Sequence, residues 1–293
     1  MPSALTIYGA TGYVGEYVAR TADRLGVKAI VAGRDAVKLD RIASETGLER
    51  RTFGLDDPAL IDSALNRVAV VLNCAGPFKY AAEPLVEACL RSGAHYLDLT
   101  GEIPVYEALQ ARDEQAKARG VMLLPGVGFD IVPTDCLALH LKQRLPSATQ
   151  LRLGFQSVGS AGLPSGTQRT AIKLLNYGDR VRRNGKLVRP QTGGGTILVD
   201  FGTGTIDAVR VPWGDVFTAY YSTGIPNIED YVAAPASLLR RMAFGRAIAP
   251  CLNSRRSAFS CSWQCAPVRA QSFGRGPQRT SGAKSQTNTG IAP

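Results

Sequence analysis

The chain has 293 residues, 45% of them hydrophobic and 20% charged, with a formal net charge of +10. That length is enough for two domains with a sizeable core, and the balance is that of an ordinary globular protein rather than a fibrous or disordered one. The positive charge does not point to nucleic acid: residues 251–293 hold Arg255, Arg256, Arg269, Arg275, Arg279 and Lys284 with no acidic residue, so +6 of the total lies in the tail, and the body shows no basic stripe with interleaved aromatics.

Read in chain order, the first element is a short apolar run, Leu5-Thr6-Ile7-Tyr8, leading into Gly9-Ala10-Thr11-Gly12-Tyr13-Val14-Gly15. Three glycines spaced by three, between an apolar strand and an amphipathic segment, are the strand, tight loop and helix start of a dinucleotide-binding unit. Such glycines give a tight turn, close backbone approach to a pyrophosphate, and close helix–strand packing, while the helix N-terminus presents free N–H groups to the phosphates. Gly9, Thr11, Gly12, Tyr13, Val14 and Gly15 are therefore the first candidate cofactor contacts.

The second strand, Ala29-Ile30-Val31-Ala32, ends in Gly33-Arg34. NAD-binding folds usually place an Asp or Glu at this distance for the ribose 2′-hydroxyl. Arg34 stands there instead, and a guanidinium holds a 2′-phosphate that a carboxylate would repel. Lys38, one helical turn on, adds charge, and Asp35 is expected to cap the following helix. This favours NADP(H); the alternative for Arg34 is a solvated surface charge.

A helix over Ala36 to Thr46, a strand over Glu49 to Phe53 and a helix from Asp56-Asp57-Pro58 to Asn66 follow. Val68 to Asn73 is a continuous apolar run, as in a strand buried on both faces. It ends in Asn73-Cys74-Ala75-Gly76-Pro77-Phe78, a loop at a strand's carboxyl end. Cys74, Gly76 and Pro77 are placed there beside the nicotinamide ribose. Cys74 reads either as a reactive thiol or as a small apolar filler.

A helix over Ala82 to Arg91, a strand over His95 to Leu99, a helix over Val105 to Arg119 and a strand over Val121 to Leu124 complete six strand–helix alternations. The pattern implies an α/β, Rossmann-type doubly wound parallel sheet over residues 1–125, with ligands outside the carboxyl ends of its strands. Residues 126–250 read as a smaller, antiparallel α+β domain on the substrate side. Its elements are a helix over Thr134 to Leu145, a strand over Leu151 to Val158, a helix over Ser165 to Tyr177, two strands within Thr196 to Val211, and a strand over Phe217 to Tyr221.

The tail from Cys251 is rich in Ser, Arg, Gln, Gly and Thr and has no periodicity, as expected of a low-order segment or of a frameshifted end to the reading frame. Its Cys261 and Cys265 lack a second ligand pair, so no metal is expected. The six cysteines show no framework spacing, the N-terminus has no basic targeting region, and Arg240, Arg241 and Arg246 interrupt the nearest approach to a membrane-length apolar run. A cytoplasmic protein is the expectation, with peripheral membrane contact through Leu238–Ala249 as an option against an ordinary surface helix. The oligomeric state is not readable.

Gly9-Ala10-Thr11-Gly12-Tyr13-Val14-Gly15, Ala32-Gly33-Arg34, Asn73-Cys74-Ala75-Gly76-Pro77-Phe78, His95-Tyr96-Leu97-Asp98-Leu99-Thr100-Gly101-Glu102 and Gly128-Phe129-Asp130, in this order, resemble the saccharopine dehydrogenase-like oxidoreductases. The branch with trans-acting enoyl reductases and the animal saccharopine dehydrogenase-like protein is the most similar. The resemblance covers about residues 1–250. It implies an NADP-binding Rossmann domain, a second α/β domain and oxidoreductase activity, and lysine metabolism less firmly. Family members usually continue with further ordered domain where this chain changes composition near residue 250.

For chemistry, no Tyr is followed four positions later by Lys, which removes the short-chain dehydrogenase mechanism. Asp98 and Asp130 are the candidate catalytic carboxylates at the rim, the alternative for each being a helix cap or a loop-fixing hydrogen bond. His95 reads as a proton shuttle or a structural strand residue, and His140 as a surface residue. Two functions follow: an NADP(H)-dependent oxidoreductase reducing a C=C, C=O or C=N bond of a small or acyl-type substrate, and a non-catalytic NADP-binding sensor or scaffold.

Overall fold

The computed structural model describes residues 4–156, 179–190, 195–202 and 204–233. The N-terminal part runs β1 (Ala4–Tyr8), α1 (Tyr13–Arg24), β2 (Ala29–Gly33), α2 (Ala36–Thr46), β3 (Glu49–Thr52), α3 (Pro58–Ala64), β4 (Val68–Asn73), α4 (Phe78–Ser92), β5 (His95–Asp98), α5 (Ile103–Gln110), α6 (Asp113–Arg119) and β6 (Leu123–Leu124). Its six strands form one sheet in the order β3-β2-β1-β4-β5-β6, and every pair in it is parallel. The order reverses between β1 and β4, so the loops after these two strands part there and open a crevice at their carboxyl ends.

β1 shows why the sheet is central. Ile7 packs with Val31, Leu39 and Ile42 on one face, and Tyr8 packs with Ile30, Phe53 and Leu85 on the other. Successive side chains of a strand point to opposite faces, so a strand covered on both sides must be apolar throughout. Helix starts follow local chemistry. Asp35 accepts the Lys38 amide at 3.1 Å, and Asp57 accepts the Ala59 amide at 2.9 Å with Pro58 at the first helical position.

Beyond β6 come α7 (Val132–Arg144), β7 (Gln150–Phe155), β8 (Val181–Arg183), β9 (Lys186–Val188), β10 (Thr196–Asp200), β11 (Thr205–Val211), α8 (Asp215–Thr223) and β12 (Asn227–Ala233). The second sheet runs β10-β11-β12-β8-β9, with β7 also on β12. Tyr106 of α5 stacks on Phe217 of α8 with ring centroids 5.4 Å apart, and Ile131 and Trp213 join the same cluster.

Four expectations need correction. Phe217 to Tyr221 is helical within α8. Val216, Phe217, Ala219 and Thr223 bury one helical face, and the short aromatic run has the composition of either element. The second sheet is mixed rather than antiparallel, because β7 lies parallel to β12. The span Val105 to Arg119 is two helices broken at Ala111–Arg112, where the Arg112 guanidinium ties back to Glu87 at 2.6 Å and to the Ala108 carbonyl. α4 begins at Phe78 rather than Ala82 and carries Pro84 inside it. The expected helix Ser165 to Tyr177, the Leu238–Ala249 segment and the tail with Cys261 and Cys265 lie outside the described residues. Among the described residues no helix is long and apolar enough to cross a membrane.

Candidate functional site

The crevice is built from the glycine loop outward. Gly9 has φ +81°, a region open to glycine, and the Gly9 and Ala10 amides donate to the Ala32 carbonyl at 2.8 and 3.1 Å, tying the loop to β2. The Gly12 amide returns to the Gly9 carbonyl at 2.9 Å and closes the turn. A Cβ on Gly15 would lie 2.2 Å from the Gly9 oxygen, and one on Gly9 would lie 2.8 Å from the Ala75 nitrogen. The cradle exists only because these side chains are absent. α1 starts at Tyr13 with no side chain capping its first amides, so its positive end stays open to an acceptor. Tyr13 and Val14 are exposed at that mouth. This arrangement fits a pyrophosphate.

β2 then delivers the cation. Gly33 lies beside the Thr11 hydroxyl, 4.0 Å from where a Cβ would stand, so the end of β2 meets the glycine loop. Arg34 is exposed and makes no ion pair among the described residues. Burial pushes the Tyr8 hydroxyl up, and the Arg34 charge works against that shift, which places the guanidinium near the carboxyl end of β1. Lys38 is already engaged, its Nζ 3.1 Å from the Asp35 carboxylate. Arg34 is thus the less committed of the two predicted cations.

The loop after β4 forms the adjoining wall. The Cys74 amide donates to the Tyr8 carbonyl at 2.8 Å, and the Ala75 amide donates to Asn73 Oδ1 at 2.9 Å. The Gly76–Pro77 bond is cis. Cys74 packs with the β1–α1–α2 core, and burial, aided by the Asp98 charge, pushes its thiol up to about 12. A thiolate is the nucleophile in cysteine chemistry, and at neutral pH this side chain is a thiol.

The two candidate carboxylates sit in different settings. Asp98 is fully buried. Its Oδ1 accepts the Thr100 and Gly126 amides at 3.0 Å each, and its Oδ2 accepts the Tyr96 hydroxyl at 2.9 Å. These are the bonds of the loop-fixing alternative. Burial raises its carboxyl to about 6, against the pull of those amides. Asp130 stands exposed on the loop before α7, its backbone oxygen accepting Trp213 Nε1 at 3.1 Å, and the surrounding protein still raises its carboxyl above the ordinary value. His95 Nδ1 accepts the Met122 amide at 3.0 Å, which spends that nitrogen on joining β5 to the start of β6. His140 is exposed on α7.

Several polar residues of the site have partners that the sequence did not give. Glu102 accepts the Phe78 and Lys79 amides at 3.0 Å each and so caps α4 from another element. Asn73 Nδ2 donates to the Tyr96 hydroxyl at 3.0 Å, and the Tyr106 hydroxyl donates to the Thr100 carbonyl at 2.8 Å. The usable signal was the alternation Tyr96, Asp98, Thr100, Glu102, polar at every second position in an apolar strand and its exit loop. Behind the rim, Asp215 of α8 accepts the Thr134 hydroxyl of α7, and Asp230 of β12 accepts the Val216 amide at 3.1 Å. Burial raises both carboxyls, Asp215 to about 7.

Comparison with known proteins places this geometry. Residues 5–124 match the family model of the saccharopine dehydrogenase NADP-binding domain. The human saccharopine dehydrogenase-like oxidoreductase is 29% identical over 203 residues, covering 61% of this chain and 47% of that protein. A trans-acting enoyl reductase of Mycobacterium leprae is 31% identical over 152 residues, covering 48% of this chain and 36% of its own length. The chain spans about half the length of the first of these curated relatives. Among solved structures, the saccharopine dehydrogenase (L-Glu forming) of Saccharomyces cerevisiae superposes with a TM-score of 0.58 at 14% identity, over 82% of this chain and 57% of that one, which is a likeness of fold.

Proposed function

We propose that the chain carries the cofactor domain and part of the substrate side of an NADP(H)-dependent oxidoreductase of the saccharopine dehydrogenase-like kind, acting on a C=C, C=O or C=N bond of a small or acyl-type substrate. The observation that carries this reading is the glycine cradle with Arg34 at its edge, inside a domain of the NADP-binding family. The open first turn of α1 holds the pyrophosphate, and Arg34 holds the 2′-phosphate bidentately. Cys74, Gly76 and Pro77 border the nicotinamide ribose. The bound dinucleotide supplies or accepts the hydride, so the protein's task is to orient, to exclude water and to manage a proton. Asp130, exposed at the rim with a raised carboxyl, is the residue assigned to that proton. The named relatives support oxidoreductase chemistry and an enoyl substrate for some of them.

One observation favours the non-catalytic alternative: Asp98 spends both carboxylate oxygens on internal bonds, leaving a single candidate carboxylate at the rim. The test is a stopped assay of NADPH oxidation against a panel of carbonyl, imine and enoyl-thioester substrates, with Asp130→Asn in parallel. Turnover on one class that falls about 10²-fold or more in the variant supports the assignment. NADPH binding without turnover on any class supports the sensor.

A further inference from the structure

The strands of the parallel sheet hold one another by their ladder, but beyond their carboxyl ends the loops keep only isolated backbone bonds, such as the Cys74 amide on the Tyr8 carbonyl and the Val127 amide on the Asp98 carbonyl at 2.8 Å each. In this chain a closed circuit of side-chain hydrogen bonds takes over that task. Asn73, at the end of β4, accepts the Ala75 amide and donates to the Tyr96 hydroxyl. Tyr96 donates to Asp98, and Asp98 accepts from Thr100 and Gly126. The Thr100 hydroxyl accepts the Glu102 amide at 2.9 Å, and the Glu102 carboxylate accepts Phe78 and Lys79, which returns the circuit to the loop after β4. Three loops, 74–78, 99–102 and 125–127, are thereby joined.

The circuit is dry. Asn73, Tyr96, Asp98 and Thr100 are wholly inaccessible and Glu102 is 7% exposed. Asp98 and Glu102 make no ion pair with Lys or Arg among the described residues, so backbone N–H groups and the Tyr96 hydroxyl offset two neighbouring buried carboxylates. Such an arrangement is costly, and breaking any member leaves a buried polar group unpaired. Its Ala75 corner lies directly behind the glycine loop, under 3 Å from where a Gly9 Cβ would stand.

We propose that this circuit is a positioning device for the nicotinamide half of the crevice, and that Asp98 serves it as an ionised acceptor of hydrogen bonds and makes no proton transfer to substrate. The inference rests on the NADP(H) reading of the crevice above. Every hydrogen in this order finds an acceptor only when Asp98 is ionised. Asn73 Nδ2 donates to Tyr96, so the Tyr96 hydroxyl proton must point at Asp98. A proton on Asp98 Oδ2 would face the Tyr96 proton and break the circuit there. The titratable groups around Asp98 are Cys74 from the loop after β4, Tyr96 on its own strand, and Glu102 and Tyr106 at α5. Cys74, Tyr96 and Tyr106 are each raised by burial first and by Asp98 next. With Asp98 itself at about 6, the circuit is intact at pH 8 and opens as the pH falls through 6.

The test uses the full chain at pH 8 and pH 5 and two probes, NADPH and 2′,5′-ADP, which lacks the nicotinamide half. In the wild type, acidification should weaken NADPH about tenfold relative to 2′,5′-ADP, the scale of one hydrogen bond to a charged group. Asp98→Asn, with an NH₂ facing Tyr96, should show the acid behaviour already at pH 8 and lose the pH dependence. In unsubstituted protein, amide exchange corrected for intrinsic rates should show Phe78, Lys79, Thr100 and Gly126 losing protection together below pH 6. Equal loss of both probes with a fall in Tm would make Asp98 merely structural, and unchanged discrimination would remove the positioning role; either overturns the proposal. If the wild type binds neither probe, the cofactor reading fails, and the exchange measurement still decides the circuit: separate, uncoordinated protection of the four amides overturns it.

Discussion

Gly15→Ala isolates the close packing on which the cofactor cradle depends. The new methyl would stand 2.2 Å from the Gly9 oxygen, 2.8 Å from the Gly9 carbonyl carbon and 2.9 Å from the Ala10 Cα. All three are backbone atoms, so no rotamer change relieves the clash, and ordinary contact begins at 3.4 Å. α1 and the glycine loop must separate by about 1 Å. Overpacking of this kind costs about 1–3 kcal/mol, while Ala in a helix regains about 1 kcal/mol over Gly. The net loss of stability is therefore small, about 0–2 kcal/mol, or at most several degrees in Tm. Binding suffers more, because the first-turn amides of α1 move off the pyrophosphate, and a displacement of about 1 Å can cost about 10²-fold in a positioned site. Thermal melting and an NADPH fluorescence titration read the two effects separately. A Gly15→Ala variant that binds NADPH as tightly as the wild type would refute the reasoning from geometry.

Other consequences are as direct. Gly126→Ala places a methyl 2.0 Å from the Tyr106 hydroxyl oxygen in a backbone with φ +75°. Left-handed strain of about 1–2 kcal/mol and loss of the Tyr106–Thr100 bond, about 1 kcal/mol, should lower Tm by about 5–10 °C, and an unchanged melt would contradict this. Asp215 is more basic folded than unfolded, so its contribution to stability is fully present below the ordinary Asp value and is lost as pH rises through about 7. Tm should fall between pH 5 and pH 8 and fall less in Asp215→Asn; equal slopes would show that the carboxyl does not titrate in that window. Cys136 is exposed whereas the Cys74 thiol is held at about 12, so with one cysteine retained at a time a disulfide reagent at pH 8 should modify Cys136 at least about 10²-fold faster. Comparable rates would mean that Cys74 is not held as a buried thiol.

The parallel sheet was legible because its signals are local. Apolar runs such as Val68–Asn73, six residues bounded by turn residues, suit a doubly covered strand, and Gly9, Gly12 and Gly15 carry their spacing on their face. The place of Arg34, just past β2 and near the glycine loop, was legible from its distance along the chain. What the sequence concealed depends on contacts distant in sequence. Glu102 caps a helix that begins 24 positions earlier, and no periodicity announces that partner. The strand expected at Phe217–Tyr221 failed because aromatic and β-branched residues suit a strand until tertiary burial of one helical face decides otherwise. Parallel pairing of β7 with β12 joins residues 77 positions apart, which alternation alone could not reveal. Asp98 was found as a residue but its surroundings were not, since burial and the Gly126 amide belong to the folded chain.

Paired titrations decide whether the glycine cradle and Arg34 select NADP(H). NADPH and NADH are titrated into wild type and Arg34→Ala, following nicotinamide fluorescence. Wild type should bind NADPH tightly and NADH weakly, with the variant losing about tenfold or more for NADPH and little for NADH, as expected when a bidentate guanidinium–phosphate contact is removed. Equal affinity for the two dinucleotides, or an Arg34→Ala variant that keeps its preference for NADPH, would contradict that selection.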